Sequence, residues 1–178
     1  LKKLFFEKKY NELIFEIQTN IEIKHKNTAI QNLLGACITL RTDGKSKEDL
    51  IWASKIFKEA YLSGKKTNDG LFALVNFINT SMDIKKDFDI EINFKEIVKF
   101  FEEAILFFPL SEKLILAILR VHKYLNNLEM ILFYLKGLVK KKNCKISTIC
   151  TYILYNCYKE NQSQKFFLKQ AQLLNERL

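Results

Sequence analysis

Side chains able to carry acid–base or nucleophilic chemistry are few in this sequence, and they lie far apart. The two histidines, His25 and His122, are 97 positions from each other. His25 stands between two lysines, as in a solvated turn. His122 falls late in a helical pattern, where we predict a satisfied surface or groove histidine rather than a general base. Glu7, Glu102 and Glu103 occupy surface positions, so no paired-carboxylate site is predicted.

Motifs that hold substrates, phosphates or metals are also absent from the sequence. It contains no GxSxG, HExxH, GxGxxG or phosphate-loop pattern. We therefore predict no catalytic residues, no cofactor-binding residues and no cofactor. The chain is predicted not to be an enzyme, and a catalytic domain attached outside it remains compatible with the sequence.

The cysteines favour a structural interpretation. Cys37, Cys144, Cys150 and Cys157 include no CxxC pair and make no dense disulfide framework. Cys150 and Cys157 are seven residues apart, so they share one face of a helix. We interpret all four as small buried hydrophobes in a reducing compartment. The alternative is a zinc site formed by Cys144, Cys150 and His122, but the spacing leads us to predict no metal site.

Positive charge is the strongest compositional signal. The chain has 29 basic and 20 acidic residues, a net charge of +9. Such a field steers acidic or phosphate-bearing partners, but excess lysine alone is a weak signal and favours a solvated surface as its interpretation. The densest basic patch consists of Lys136, Lys140, Lys141, Lys142 and Lys145. Binding of single strands requires aromatic faces beside the charge. Tyr152, Tyr155 and Tyr158 follow the patch.

Neither a membrane segment nor a signal peptide is predicted. The longest apolar run, residues 104–110, is much shorter than the roughly 18–20 residues that a membrane-spanning helix needs. Cytoplasmic localisation is the resulting expectation. The chain starts at Leu1 in the middle of a periodic pattern, so we expect a fragment of a longer protein.

Hydrophobic periodicity predicts helices joined by short polar turns. The sequence has one proline and five glycines, and apolar residues recur at spacings of three and four. Asn27 or Thr28 is the predicted N-cap of a helix, and Ser46 and Ser111 are predicted to cap two others. Ser46 and Asp49 form a capping-box pattern. Polar loops are predicted at residues 41–49 and 83–93, and turns at residues 64–68 and 124–127.

A recurring triplet, with spacings of four and then three residues, indicates internal repeats. Its first residues are 40, 44, 34 and 36 positions apart, and the two longest steps contain the two predicted loops. The triplets are Leu13-Ile17-Asn20, Ala53-Phe57-Ala60, Ile97-Phe101-Ala104, Ile131-Leu135-Leu138 and Phe167-Ala171-Leu174. Small and aromatic residues suit these positions because neighbouring helices must approach closely there.

Two units resemble the tetratricopeptide repeat family. Leu34-Gly35 and Ile38 followed by Ala53, Phe57 and Ala60 resemble one repeat with an enlarged turn. Ile97, Phe101, Ala104 and Pro109 resemble the second half of another. The resemblance implies an all-α fold, a right-handed α-solenoid of about five antiparallel helix pairs, over residues 1–178 as a single domain. LLGAC at 33–37 and FALVNFIN at 72–79 also resemble the repeats that precede bacterial O-GlcNAc transferase or SPINDLY-type glycosyltransferases.

A solenoid of this family binds through the surface formed by the first helix of each pair. The polar candidates for partner binding in the predicted first helices are Asn32, Asn76, Asn79, His122 and Asn156. The resemblance therefore implies a non-catalytic scaffold that binds protein or peptide, such as the substrate-recruiting front of a larger glycosyltransferase. The alternative is an RNA-associated basic helical-repeat protein within a ribonucleoprotein.

Overall fold

The computed structural model describes residues 1–20, 27–43, 46–109 and 111–139. Within these ranges the chain forms eight α-helices and no strand, which confirms the all-α class for the described residues. The helices are α1 (Lys2–Phe6), α2 (Tyr10–Thr19), α3 (Thr28–Leu40), α4 (Lys47–Ser63), α5 (Asn68–Phe88), α6 (Phe94–Ile105), α7 (Glu112–Tyr124) and α8 (Leu128–Val139).

Polar caps fix where most of these helices begin. Each capping side chain accepts a hydrogen bond from a backbone N–H in the first helical turn, a group that has no partner inside the helix. The capping residues are Asn27, Ser46, Thr67, Asn93 and Ser111. The predicted caps at Ser46 and Ser111 are confirmed, and of the two candidates before α3 the cap is Asn27.

The predicted capping box at α4 forms only in part. Ser46 Oγ accepts from the Asp49 N–H at 3.2 Å, as expected. The Asp49 carboxylate turns instead to Arg41, whose guanidinium binds both of its oxygens, and Thr42 donates to it at 3.2 Å. The hydrogen bond from Arg41 lowers the pKa of Asp49, which is buried. Arg41 also lies over the Trp52 ring, 5.4 Å from its centroid, so this cluster fixes the α3–α4 turn.

The predicted loop at residues 83–93 is wrong over its first half, because α5 continues to Phe88. Met82 and Ile84, which are 6% and 5% exposed, continue the buried face of the helix on either side of Asp83, whereas Lys86 and Asp87 are exposed. The helix ends at Asp89, which has the left-handed φ of 50° and whose N–H donates to the Lys85 carbonyl. The connection to α6 is therefore only residues 89–93.

The chain divides into two compact units, Leu1–Pro109 and Leu110–Leu178, which are described separately. In the first unit, each helix from α1 to α5 contacts the next helix along the chain. In addition, α3 contacts α5. The described residues of the second unit form α7 and α8, which pack together. No helix among the described residues has the length and apolar character needed to cross a membrane.

The repeat triplets point into the cores of these units. Eleven of their described members are at most 2% exposed: Leu13, Ile17, Ala53, Phe57, Ala60, Ile97, Phe101, Ala104, Ile131, Leu135 and Leu138. Asn20 departs from the pattern, because α2 ends at Thr19 and Asn20 is exposed. The last triplet, Phe167-Ala171-Leu174, lies outside the described residues.

The Phe57 ring of α4 packs directly against Gly35 of α3. A methyl group added to its Cα would lie 2.6 Å from Cε1 of Phe57 and 2.8 Å from Cδ1 and Cζ of the same ring. Phe57 is 2% exposed and Gly35 is buried, so neither can move aside into solvent. Only glycine leaves room for the Phe57 ring at this position. Gly35 and Phe57, a small and an aromatic residue of the segment that resembles a tetratricopeptide repeat, therefore pack directly against each other.

Contacts also join α4 to α6. The Tyr61 hydroxyl donates to the Phe100 carbonyl at 3.1 Å, and the two rings lie 5.2 Å apart. Burial, helped by the nearby Glu103 charge, raises the pKa of Tyr61 to about 12. Two lysines form ion pairs with glutamates of α6: Lys58 of α4 with Glu96 at 2.6 Å, and Lys65, in the turn that follows α4, with Glu103 at 2.7 Å. Both pairs are partly exposed, so they add little to the stability of the fold and mainly help to set how these segments align.

Candidate binding surface

Two of the sequence candidates meet across the first unit. Asn76 Nδ2 of α5 donates to Asn32 Oδ1 of α3 at 2.9 Å, and both side chains are partly exposed. An amide carries two donor hydrogens and an acceptor oxygen. After this bond is made, the Asn32 nitrogen and the Asn76 oxygen keep capacity for a ligand. Asn79 lies one turn further along α5, is partly exposed and makes contacts of its own.

The same faces of α3 and α5 continue toward an open cavity. Thr39 follows Asn32 by seven residues and Asp83 follows Asn76 by seven, which is two helical turns in each case. Both residues line a cavity of about 450 Å³, whose walls are Thr39, Leu40, Asp43, Leu50, Asp83 and Asp87. We call Asn32 and Thr39 on α3, with Asn76 and Asp83 on α5, the α3–α5 surface.

Charge differs along the α3–α5 surface. The asparagine end is neutral, whereas the cavity end carries the carboxylates Asp43, Asp83 and Asp87. The C-terminal end of α3 adds negative partial charge there, because its last carbonyls lack helical partners. Leu40 contributes an exposed apolar side chain, 40% accessible. The arrangement suits an extended chain with a cationic or amide-rich end better than an acidic one.

His122 is not a surface residue. Its side chain is 5% exposed on α7, and neither ring nitrogen has a hydrogen-bond partner among the residues that the structure describes. It packs against Tyr134 of α8, with ring centroids 5.7 Å apart. Burial lowers the pKa of His122, so the ring is neutral at pH 7. The remaining candidate, Asn156, lies outside the described residues.

Of the basic patch, only Lys136 belongs to the described residues, where it is exposed on α8. Lys140, Lys141, Lys142 and Lys145 lie outside the described residues. The same holds for His25 and for Cys144, Cys150 and Cys157.

Groups that could act as nucleophile or acid have ordinary structural environments. Cys37 is buried, and burial raises the pKa of its thiol to about 11, so the thiolate is scarce at neutral pH. A hydrogen bond from Lys65 lowers the pKa of Glu103, which keeps that carboxylate ionised. Among the described residues, no group of three or more His, Cys, Asp or Glu side chains is placed to hold a metal ion.

A second cavity, of about 240 Å³, opens between α4, α5 and α6 beside residues 90–93. Ile51, Phe77 and Ile84 line it, and the Ser54 and Ser81 hydroxyls lie 3.4 Å apart in its wall. The Lys58–Glu96 ion pair lies among its lining residues. Its charges balance, and it holds no buried polar group awaiting a ligand in the described part of the chain.

Sequence reasoning named the asparagines and missed the cavity residues. Thr39 and Asp83 carry a usable signal, since each repeats an asparagine position two turns later on the same helix. The charged residues that begin at Asp83 predict a loop, and a two-turn spacing from Asn76 has meaning only when Asp83 belongs to the same helix.

Comparisons with protein-family models, with curated proteins and with solved structures find no match for this chain.

Proposed function

We propose that this chain is a non-catalytic helical-repeat scaffold of tetratricopeptide type that binds an extended segment of a protein partner. The observation that carries the proposal is the hydrogen bond between Asn32 and Asn76. These residues are 44 positions apart, the same step that separates the triplet at Ala53 from the triplet at Ile97. Equivalent positions of two successive units therefore lie side by side.

Helix contacts support a solenoid built from such units. The predicted first helices, α3 and α5, contact each other, and the predicted second helices, α4 and α6, are joined by the Lys58–Glu96 ion pair and the Tyr61–Phe100 hydrogen bond. In a stacked array each pair touches only its neighbours, and like helices align. We extend this pattern to a right-handed array of about five pairs, in which α7 and α8 form one pair.

The chemistry of the α3–α5 surface indicates the kind of segment that it would bind. Free amide donors and acceptors at Asn32 and Asn76 match the N–H and C=O groups of an extended peptide backbone. Asp43, Asp83 and Asp87 favour a lysine or arginine at the cavity end. A scaffold of this kind could recruit substrates for a larger enzyme, and the front of a glycosyltransferase is the version that the sequence resemblance favours.

The proposal is tested by selecting binders from a random peptide library on the whole chain. Affinity of the selected peptides is then measured by fluorescence anisotropy. Replacing both Asn32 and Asn76 with alanine should weaken binding about tenfold or more, because backbone groups of the peptide lose their partners. Alanine is compatible with both helices, so the fold should survive.

Asn11→Ala, at an exposed position of α2, is the matched control and should leave affinity unchanged. Selected peptides should contain lysine or arginine, and Asp83→Asn with Asp87→Asn should reduce their affinity. Equal affinity of the Asn32/Asn76 double variant and the native chain would place the peptide site elsewhere.

A further inference from the structure

The excess positive charge belongs almost entirely to the second unit. Residues 1–109 contain 17 basic and 16 acidic side chains, whereas residues 110–178 contain 12 basic and 4 acidic ones. The net charges are therefore +1 and +8. In the first unit, Arg41, Lys58, Lys65 and Lys85 are paired with carboxylates. Long-range attraction of a polyanion is thus a property of residues 110–178.

The outer face of α8 carries an exposed aromatic ring. Ile131, Leu132, Leu135 and Leu138 form the buried face of this helix. The opposite face presents Phe133, which is 68% exposed although large apolar side chains usually find a core. The Phe133 ring packs edge-on with Tyr134, whose ring in turn packs on buried His122. The exposed ring is therefore attached to the core of the α7–α8 pair through a row of aromatic side chains.

Positive charge and open space adjoin this ring. Lys136 and Gly137 come three and four residues after Phe133, so both lie next to Phe133 on the helix surface. Lys136 and Gly137 are exposed, and a methyl group added to Gly137 would meet no atom of the described residues within 4 Å. Glu129, one turn before Phe133, is the acidic residue on the same face. Lys140, Lys141 and Lys142 follow in the sequence.

We propose that the α8 face formed by Phe133, Lys136 and Gly137 binds single-stranded nucleic acid. An unpaired base stacks on the Phe133 ring, lysine neutralises the adjoining phosphate, and the bare backbone at Gly137 gives the strand room. The net charge of +8 in the second unit supplies the attraction. An acidic protein segment would use the charge but has no need of an exposed ring. This site is separate from the α3–α5 surface and does not depend on the proposed peptide binding.

The test measures binding of the whole chain to fluorescently labelled oligouridine of about 16 nucleotides. The native chain should bind it, and affinity should fall at least tenfold between about 50 and 200 mM salt. Phe133→Ala should weaken binding roughly 5- to 100-fold, the loss expected for one stacked base. Phe133→Leu should do the same although it keeps an apolar side chain, and Phe133→Trp should retain affinity.

Phe15→Ala is the matched control, because Phe15 is 69% exposed on α2 in the nearly neutral first unit. It should leave the affinity within about twofold, and Lys136→Glu should weaken binding. A duplex of equal length should bind less well, since its bases are already stacked. The proposal is overturned if Phe133→Ala binds like the native chain, if no oligouridine binds at low salt, or if polyglutamate competes as well as oligouridine.

Discussion

At the scale of single residues, the environment of a side chain decides its role more than its type does. Asn32 and Asn76 are chemically ordinary, yet packing brings them within 2.9 Å of each other on neighbouring helices. His122, the residue type most associated with catalysis, is buried, and its two ring nitrogens have no hydrogen-bond partner in the described part of the chain. Burying an imidazole without a hydrogen bond costs stability when the ring is neutral and costs much more when it is charged. His122 therefore affects folding, and its effect depends on pH.

His122 should make the protein less stable in mild acid. Its pKa is lowered in the folded chain by burial, so the unfolded chain binds the proton more readily, near the ordinary pKa of about 6.5. Stability is then complete above about pH 6.5 and decreases as the pH falls toward the folded pKa. Thermal unfolding followed by circular dichroism from about pH 7.5 to about pH 5 measures this loss, because this range spans the ordinary histidine pKa of about 6.5.

His122→Phe should reduce the loss in that range, because phenylalanine fills the site against Tyr134 without titrating. His25→Gln is the control for the other histidine of the chain and should leave the pH dependence in place. A pH profile that is flat in the native chain, or that persists unchanged in His122→Phe, contradicts this assignment.

At the scale of helices, the fold depends on where small side chains let two backbones meet. Gly35 contacts the Phe57 ring so closely that α3 and α4 have no room for a methyl group between them. Gly137 of α8 faces open space instead. The two glycines belong to helices of similar length, 13 and 12 residues. Replacing each of them with alanine should therefore change the free energy of unfolding in opposite directions.

Gly35→Ala should lower the free energy of unfolding by about 1–3 kcal/mol, because the new methyl group overpacks a buried contact. Gly137→Ala should raise it by about 0.5–1 kcal/mol, since alanine restricts the unfolded chain and favours the helix. Urea denaturation of the two variants and the native chain measures both changes. A neutral or stabilising Gly35→Ala would mean that α3 and α4 do not interlock at this point.

Local features of the helices could be predicted from the sequence, and features that depend on packing could not. Ser46 and Ser111 cap their own helices, and Phe57 and Phe101 follow a periodic pattern, so neighbouring residues alone reveal them. The run of charged residues at 83–87 predicts a loop, but buried Met82 and Ile84 extend the packed face of α5 into it. The Asn32–Asn76 contact joins residues 44 positions apart and depends on how α3 and α5 align.

At the scale of the whole molecule, the α3–α5 surface and the excess positive charge belong to different units. The first unit is nearly neutral, pairs several of its charges internally and presents the α3–α5 surface. The second unit has most of the excess charge and presents Phe133 on α8. A protein segment and a polyanion could therefore be bound by separate parts of one chain. Loss of either surface should leave the other active, because they share no residue.

The central claim, that an extended partner segment lies along α3 and α5, is tested most directly by amide hydrogen exchange with and without a selected peptide. Bound peptide should slow exchange in Thr28–Leu40 and Asn68–Phe88 and should leave Phe94–Ile105 unchanged. The Asn32→Ala/Asn76→Ala variant should lose this protection at the same peptide concentration. Protection confined to Phe94–Ile105 or to the second unit, or protection that the double variant retains in full, would contradict the account.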